Sequence, residues 1–208
     1  PEELRELRRV ESANAGKVIG AEYVNWDLPD AELEPTLENR MRVIAEIRSF
    51  RPDLVLTHRL CDYHPDHRAT AQLVQDASYL VTVPNVLPEV PPLFNDPVIL
   101  YMPDLFTRPA PLRPDLVLDV GEQVDSIVAM LACHRTQVFE WLPYEGGILD
   151  QVPEDENAKL EWLLGWFHGE VAERANCFRD ALVANYGEEH GQSVKFCEAY
   201  EVSEYASP

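Results

Sequence analysis

Two histidines and two aspartates crowd the six residues DYHPDH, as Asp62, His64, Asp66 and His67. Such groups do two kinds of chemistry. Neutral imidazoles and carboxylates ligate divalent metals, and a carboxylate hydrogen-bonded to an imidazole fixes its tautomer and raises its pKa, as a general acid or an oxyanion stabiliser requires. Their setting points the same way. The cluster follows the apolar run LVLTH, which reads as a buried strand, and in a parallel α/β sheet ligands bind beyond the carboxyl ends of the strands. Pro65 is barred from a helix interior but suits a first turn, so His67 is expected at a helix N-terminus. The helix dipole disfavours an imidazolium there, and the neutral ring is the form a metal takes. The plain alternative is that His64 and Asp66 only cap the helix.

The elements that must position this cluster can be read from periodicity. Leu4, Leu7, Val10, Ala13 and Val18 predict a helix over Glu2–Ile19, and Leu37, Met41, Ile44, Ile47 and Phe50 predict an amphipathic helix. GAEYVNW reads as a short strand between them. RPDLVLTH is a buried strand, and Leu73, Val74, Ala77, Leu80 and Val81 mark the next helix. The alternation implies an α/β fold with a mainly parallel sheet. Residues 84–97, PNVLPEVPPLFNDP, predict a long loop, a candidate lid. VILYM and LVLDV are further strands, and Val124, Ile127, Val128 and Leu131 predict a helix ending near His134. EWLPYEGG reads as an aromatic loop, residues 157–185 as a long helical tract, and SVKFCEAYEV as an edge strand. Neither linker nor repeat interrupts the 208 residues, which predicts one domain over 1–208.

Composition narrows the function classes. Thirty-seven acidic against 17 basic residues give a formal charge of −20, a surface that repels nucleic-acid backbones and anionic membranes. No apolar run is long enough for a membrane span. Cys61, Cys133, Cys177 and Cys197 lack CxxC spacing, so neither a cysteine zinc site nor a disulfide framework is expected, and isolated thiols suit a reducing cytoplasm. Homo-oligomerisation is left open.

RPDLVLTH…DYHPDHRAT closely resembles the second motif of the PIG-L/LmbE-type zinc-dependent N-deacetylases. RRVESANAGKVIG resembles that family's Arg-x-x-Glu helix, LVLDVGEQVDSIVAMLACHRTQ its later strand, helix and His-x-x-Gln segment, and FCEAYEV its closing strand. The matches keep the family's order and cover most of the chain. The resemblance implies a Rossmann-like three-layer domain that removes N-acetyl groups, mostly from N-acetylglucosamine derivatives, with one divalent metal, Zn2+ or another ion. It makes His67 a metal ligand. His64 would stabilise the tetrahedral intermediate or protonate the leaving amine, and Asp66 would orient His64. The partner implied is a small N-acetylated amino-sugar conjugate.

The family's first motif, His-Pro-Asp-Asp, which carries the other ligands and the general base, does not occur here. The expectation is an N-terminal truncation that removes the first strand and its metal-binding turn, leaves sheet edges exposed and makes this chain alone inactive. A non-catalytic sugar-binding or scaffold homologue is the alternative. A second rival is a different metal hydrolase in which Asp27, Asp30 or His134 lies within coordination distance of His67. Arg8, three before Glu11, is a candidate substrate contact or one half of an i, i+3 pair. His134 is a candidate substrate contact or a structural cap. Arg68 reads as surface, Trp141 and Tyr144 as stacking or loop-pinning residues, and His168 and His190 have no suggestive neighbours.

Overall fold

The computed structural model describes residues 2–205. It is α/β, with a four-stranded sheet flanked by helices. In chain order the elements are α1 (Glu2–Ile19), α2 (Leu37–Phe50), β1 (Leu54–Thr57), α3 (Pro65–Leu80), β2 (Val98–Tyr101), β3 (Leu116–Asp119), α4 (Val124–Cys133), α5 (Leu142–Glu145), α6 (Glu156–Cys177), α7 (Arg179–Tyr186), α8 (Glu188–Ser193) and β4 (Cys197–Val202). The strand order is β1-β2-β4-β3. β1 and β2 run parallel from Leu54↔Val98 to Thr57↔Tyr101, whereas β2 and β4 are antiparallel. The sheet is therefore mixed, and β4, expected at an edge, lies inside it. The expected strand at GAEYVNW does not form. Tyr23 and Val24 are half exposed, and a strand without a ladder partner has no means of satisfying its backbone.

The chain's contacts divide it into two compact units. One comprises residues 27–117 with the C-terminal stretch from Ala199, the other residues 1–26 with Leu118–Glu198. In the first, α2 and α3 pack through Ile44, Ile47, Ala77, Val81 and Leu93, and Val74 of α3 reaches Ile99 of β2. α2 starts on Thr36, whose hydroxyl accepts from Asn39 N–H, and ends where Arg51 turns left-handed at φ 57°. Such caps satisfy backbone groups that a helix end leaves over. Leu54 and Leu56, on the edge strand β1, remain 48% and 45% exposed.

Arg48 is the largest fully buried side chain. Its Nε donates to Val81 O, Nη1 to the carbonyls of Val86, Leu87 and Val90, and Nη2 to those of Leu80 and Val83. Burial lowers its pKa, partly countered by Glu89. The guanidinium is thus caged by carbonyl dipoles at the end of α3, where a cation is favoured. The proline-rich segment expected as a lid is held at its base by this cage and by Leu93 N–H on Val81 O.

In the second unit the core is Val124, Val128, Val138, Phe139, Leu163, Phe167 and Val171. α1 buries Glu11, Ser12, Ala15 and Gly16, and leaves Leu4, Leu7, Val10 and Val18 exposed. Its small residues allow close approach. A Cβ on Gly16 would lie 2.7 Å from Ala21 O. The expected aromatic loop is largely helical, with a π-turn over Gln137–Trp141 leading into α5. The long helical tract breaks at Phe178. No helix among the described residues is long and apolar enough to cross a membrane.

Candidate metal and catalytic site

β1 ends at Thr57 and α3 begins at Pro65, and the seven residues between them, with the first turn of α3, build most of the site. Asp62 organises the turn. Its Oδ1 accepts from His64 N–H at 2.8 Å and lies 3.0 Å from His67 Nδ1. A carboxylate can only accept, so the proton of this contact sits on His67 Nδ1. The Nε2 lone pair of His67 is then available, the usual arrangement of a metal-ligating imidazole held by a carboxylate. Arg68 clasps the same turn, donating to the carbonyls of Asp62 and Tyr63.

His64 is the N-cap of α3, and its Nδ1 accepts from Asp66 N–H at 3.3 Å. A ring that accepts at Nδ1 carries its proton on Nε2 when neutral, and that atom lies 3.7 Å from Asp30 Oδ1. The Asp66 carboxylate, expected to orient His64, is committed elsewhere. It accepts from Ala31 N–H and Leu33 N–H at 2.9 and 3.1 Å. Asp66 therefore meets His64 through its backbone while its side chain staples the 30s loop to the helix start. His64 thus caps the helix, as the plain alternative expected, while its Nε2 faces Asp30.

His58, which sequence reasoning passed over, stacks on His67 with ring centroids 4.0 Å apart and planes 3° from parallel. Tyr63 meets His67 edge-on at 5.6 Å, and His64 lies 4.9 Å from it. Burial lowers the His58 pKa first, and the neighbouring His67 adds to this, while Asp62 opposes it. His58 closes LVLTH, the last residue of that run before the turn, and that position was the available signal. His58, Asp62 and His67 offer donor atoms within 4.8 Å of one another, and Asp30, His64 and Asp66 form a second such group. A mixed imidazole and carboxylate set suits a divalent ion. Asp30 thus joins His64, and the His67 group is completed by His58 and Asp62. The rival that would bring Asp27 or Asp30 to His67 gains nothing from these groups.

A cavity of about 320 Å³ lies beyond the ends of β1 and β2, lined by Arg59, Cys61, Gln75, Tyr101, Arg113 and Glu201 among others. Arg59 is buried there and bonds Asp104 at 2.9 Å and Ala110 O at 2.7 Å. The histidines do not line this cavity.

Arg8 and His134 belong to the other unit. Arg8 does not pair with Glu11, whose two oxygens accept from Thr136 N–H and Oγ1, each at 2.8 Å. Arg8 Nε is buried without a hydrogen-bond partner among the described residues. His134 caps the end of α4, with its N–H on Leu131 O. Trp141 and Tyr144 are largely exposed. His190, which has no telling neighbour in sequence, meets Asp119 at 3.1 Å.

Comparison with known proteins bears on this geometry. The chain is 26% identical to a 4-oxalmesaconate hydratase of Pseudomonas putida over 142 residues, 68% of this chain and 55% of that protein. It thus spans about half the length of that curated relative. Among solved structures, it resembles GalB, the 4-carboxy-2-hydroxymuconate hydratase of Pseudomonas putida KT2440, with a TM-score of 0.71 at 19% identity over 97% of this chain and 72% of that one. An N,N'-diacetylchitobiose deacetylase from Pyrococcus horikoshii gives 0.62 at 21% identity, over 98% and 66%. A conserved protein of Thermus thermophilus gives 0.61 at 19%, over 98% and 75%. At these identities the structures share the fold with this chain. Residues 1–78 match the PIG-L model, GlcNAc-PI de-N-acetylase, a span that holds the Arg-x-x-Glu helix and the whole histidine turn on which the resemblance to PIG-L/LmbE proteins rests.

Proposed function

We propose that this chain is part of a metal-dependent hydrolase that removes an N-acetyl group from an N-acetylglucosamine-type substrate. The observation that carries the reading is the Asp62 contact to His67 Nδ1, which leaves Nε2 as the donor atom. His67 would hold the ion, Zn2+ or another divalent metal, with further ligands from outside this cluster. When bound, the ion supplies Lewis acidity and lowers the pKa of water toward about 7. Asp62 keeps His67 in the ligating tautomer. His64 holds a proton at Nε2, for donation to a developing oxyanion or a leaving amine. Asp66 fixes the cap on which His64 sits. Arg8 and His134 are proposed as substrate contacts, and a cytoplasmic setting is proposed from the unpaired cysteines.

A second reading is hydration, in which water adds to a conjugated double bond. It is favoured by the hydratase names of the sequence relative and of one similar structure. Both readings use the same donor atoms and differ in the electrophile. The deciding experiment loads the full-length protein with zinc, then follows acetate release from an N-acetylglucosamine conjugate and the ultraviolet absorbance of an unsaturated tricarboxylate of the 4-carboxy-2-hydroxymuconate type. Acetate release supports the first reading, and loss of absorbance alone supports the second. Bound metal with neither activity favours a non-catalytic homologue. Full metal content in His67→Ala would overturn the ligand assignment.

A further inference from the structure

We propose that His58 is a positioning residue, a flat brace that holds the His67 imidazole in its ligating orientation and is not itself a ligand to the same ion. The inference rests on the reading of His67 as a ligand. It comes from the stacking geometry. An imidazole nitrogen presents its lone pair in the plane of its ring. The His58 and His67 planes are 3° from parallel and the rings are stacked at 4.0 Å. Two separated parallel planes share no point, so one ion cannot lie in both. Proximity of donor atoms, which makes His58, Asp62 and His67 resemble a three-ligand group, is therefore misleading for His58.

The same geometry shows what His58 does. Asp62 fixes one edge of the His67 ring through Nδ1, but a single hydrogen bond leaves the ring free to rock about it. The face of His58 removes that freedom on one side, and the edge of Tyr63 stands 78° to the ring. His58 follows the last residue of β1, and His67 lies in the first turn of α3. The brace thus ties the ring carried by the helix to the strand end. Among the described residues, Nε2 is the one nitrogen of His67 left uncommitted.

The test compares His58→Phe, which keeps a flat face and removes both nitrogens, with His58→Ala, which removes the face. Both are made in the full chain with 15N-labelled histidine. The tautomer of His67 is read from its ring nitrogens by NMR without metal at pH 8, and zinc affinity is measured by competition with a chromophoric chelator. The proposal expects wild type and His58→Phe to show one Nδ1–H tautomer and zinc affinities within about three-fold. It expects His58→Ala to show mixed tautomers and affinity about ten-fold weaker, as for loss of a group that orients a ligand. Zinc loss in His58→Phe as complete as in His67→Ala would make His58 a ligand and overturn the brace. Unchanged tautomer and affinity in His58→Ala would overturn it equally. If His67→Ala binds zinc like wild type, the ligand reading fails, and the metal-free tautomer still decides whether the ring is braced. Should the Ala variant unfold, His58→Leu keeps the volume without the flat face.

Discussion

Arg48 and His67 are cationic-type side chains of the same unit, each gripped by backbone and neighbours, and they end in opposite states. Arg48 spends every N–H on six carbonyls and keeps nothing for a ligand. His67 has its face and one nitrogen held, and among the described residues no hydrogen bond occupies the other. Both are partly or wholly removed from water, which makes an unmet polar atom costly. Saturation of the first cluster marks it as structural, and the one uncommitted atom of the second is what the proposed ligand role uses. Counting donors against acceptors, more than counting charged residues, separates the two.

The sharpest way to break the comparison is to remove the cage. Arg48→Met takes the guanidinium from six carbonyls, of which those of Leu80, Val81, Val83 and Leu87 keep a backbone donor and those of Val86 and Val90, among the described residues, do not, and the unit should lose about 3 kcal/mol. Urea unfolding with an unchanged m-value measures this, and a loss under about 1 kcal/mol would mean that water replaces the guanidinium readily. Next in size is Asp62→Ala in the metal-binding protein. Zinc affinity should fall about ten- to a hundred-fold while the fold survives. Equal affinity would show that His67 needs no carboxylate to set its tautomer.

His64 allows capping and chemistry to be separated. His64→Ala should cost about 1 kcal/mol through the lost cap and also lower the catalytic rate, whereas His64→Asn should restore stability without restoring rate. Recovery of rate by Asn would assign His64 to capping alone. The smallest effect is in pH. The His58 pKa is lowered in the fold, so between that value and the unfolded value near 6.5 the unfolded state binds more protons. Its contribution is present above pH 6.5 and is lost as pH falls through that window. His58→Phe should flatten this part of the stability curve, measured by urea midpoints from pH 8 to 5. The Arg48 cage does not titrate in that range and should add no slope.

Much of this was legible in the sequence where a local signal had a local cause. The bounds of α1, the start of α3 at Pro65 and the end of α4 at His134 follow from periodicity and capping chemistry. Burial was harder to read. The stripe predicted for α2 includes Phe50, which is 77% exposed, and omits Arg48, which is buried, because a guanidinium goes inside only when distant carbonyls converge on it. The α1 stripe is likewise exposed, since that helix packs through Ala15 and Gly16. The inner place of β4 depends on pairing between residues about a hundred apart, Tyr101 with Glu201. At the site, DYHPDH announced Asp62, His64, Asp66 and His67, while the stacking partner His58 and the staple from Asp66 to the 30s loop needed three dimensions.

Among the described residues the outer edge of β1 has no strand partner, which makes the solubility of this chain a matter of its charge. Half-exposed leucines beside unpaired strand backbone invite a second chain to add to the sheet, and a formal charge of −20 holds such encounters apart only while counterions are sparse. Salt shortens the reach of that repulsion to about 10 Å at 0.1 M and 3 Å at 1 M. A preparation that is monodisperse in dilute buffer is therefore expected to self-associate as ionic strength rises, so that low salt, with its smaller screening, is the safer storage condition.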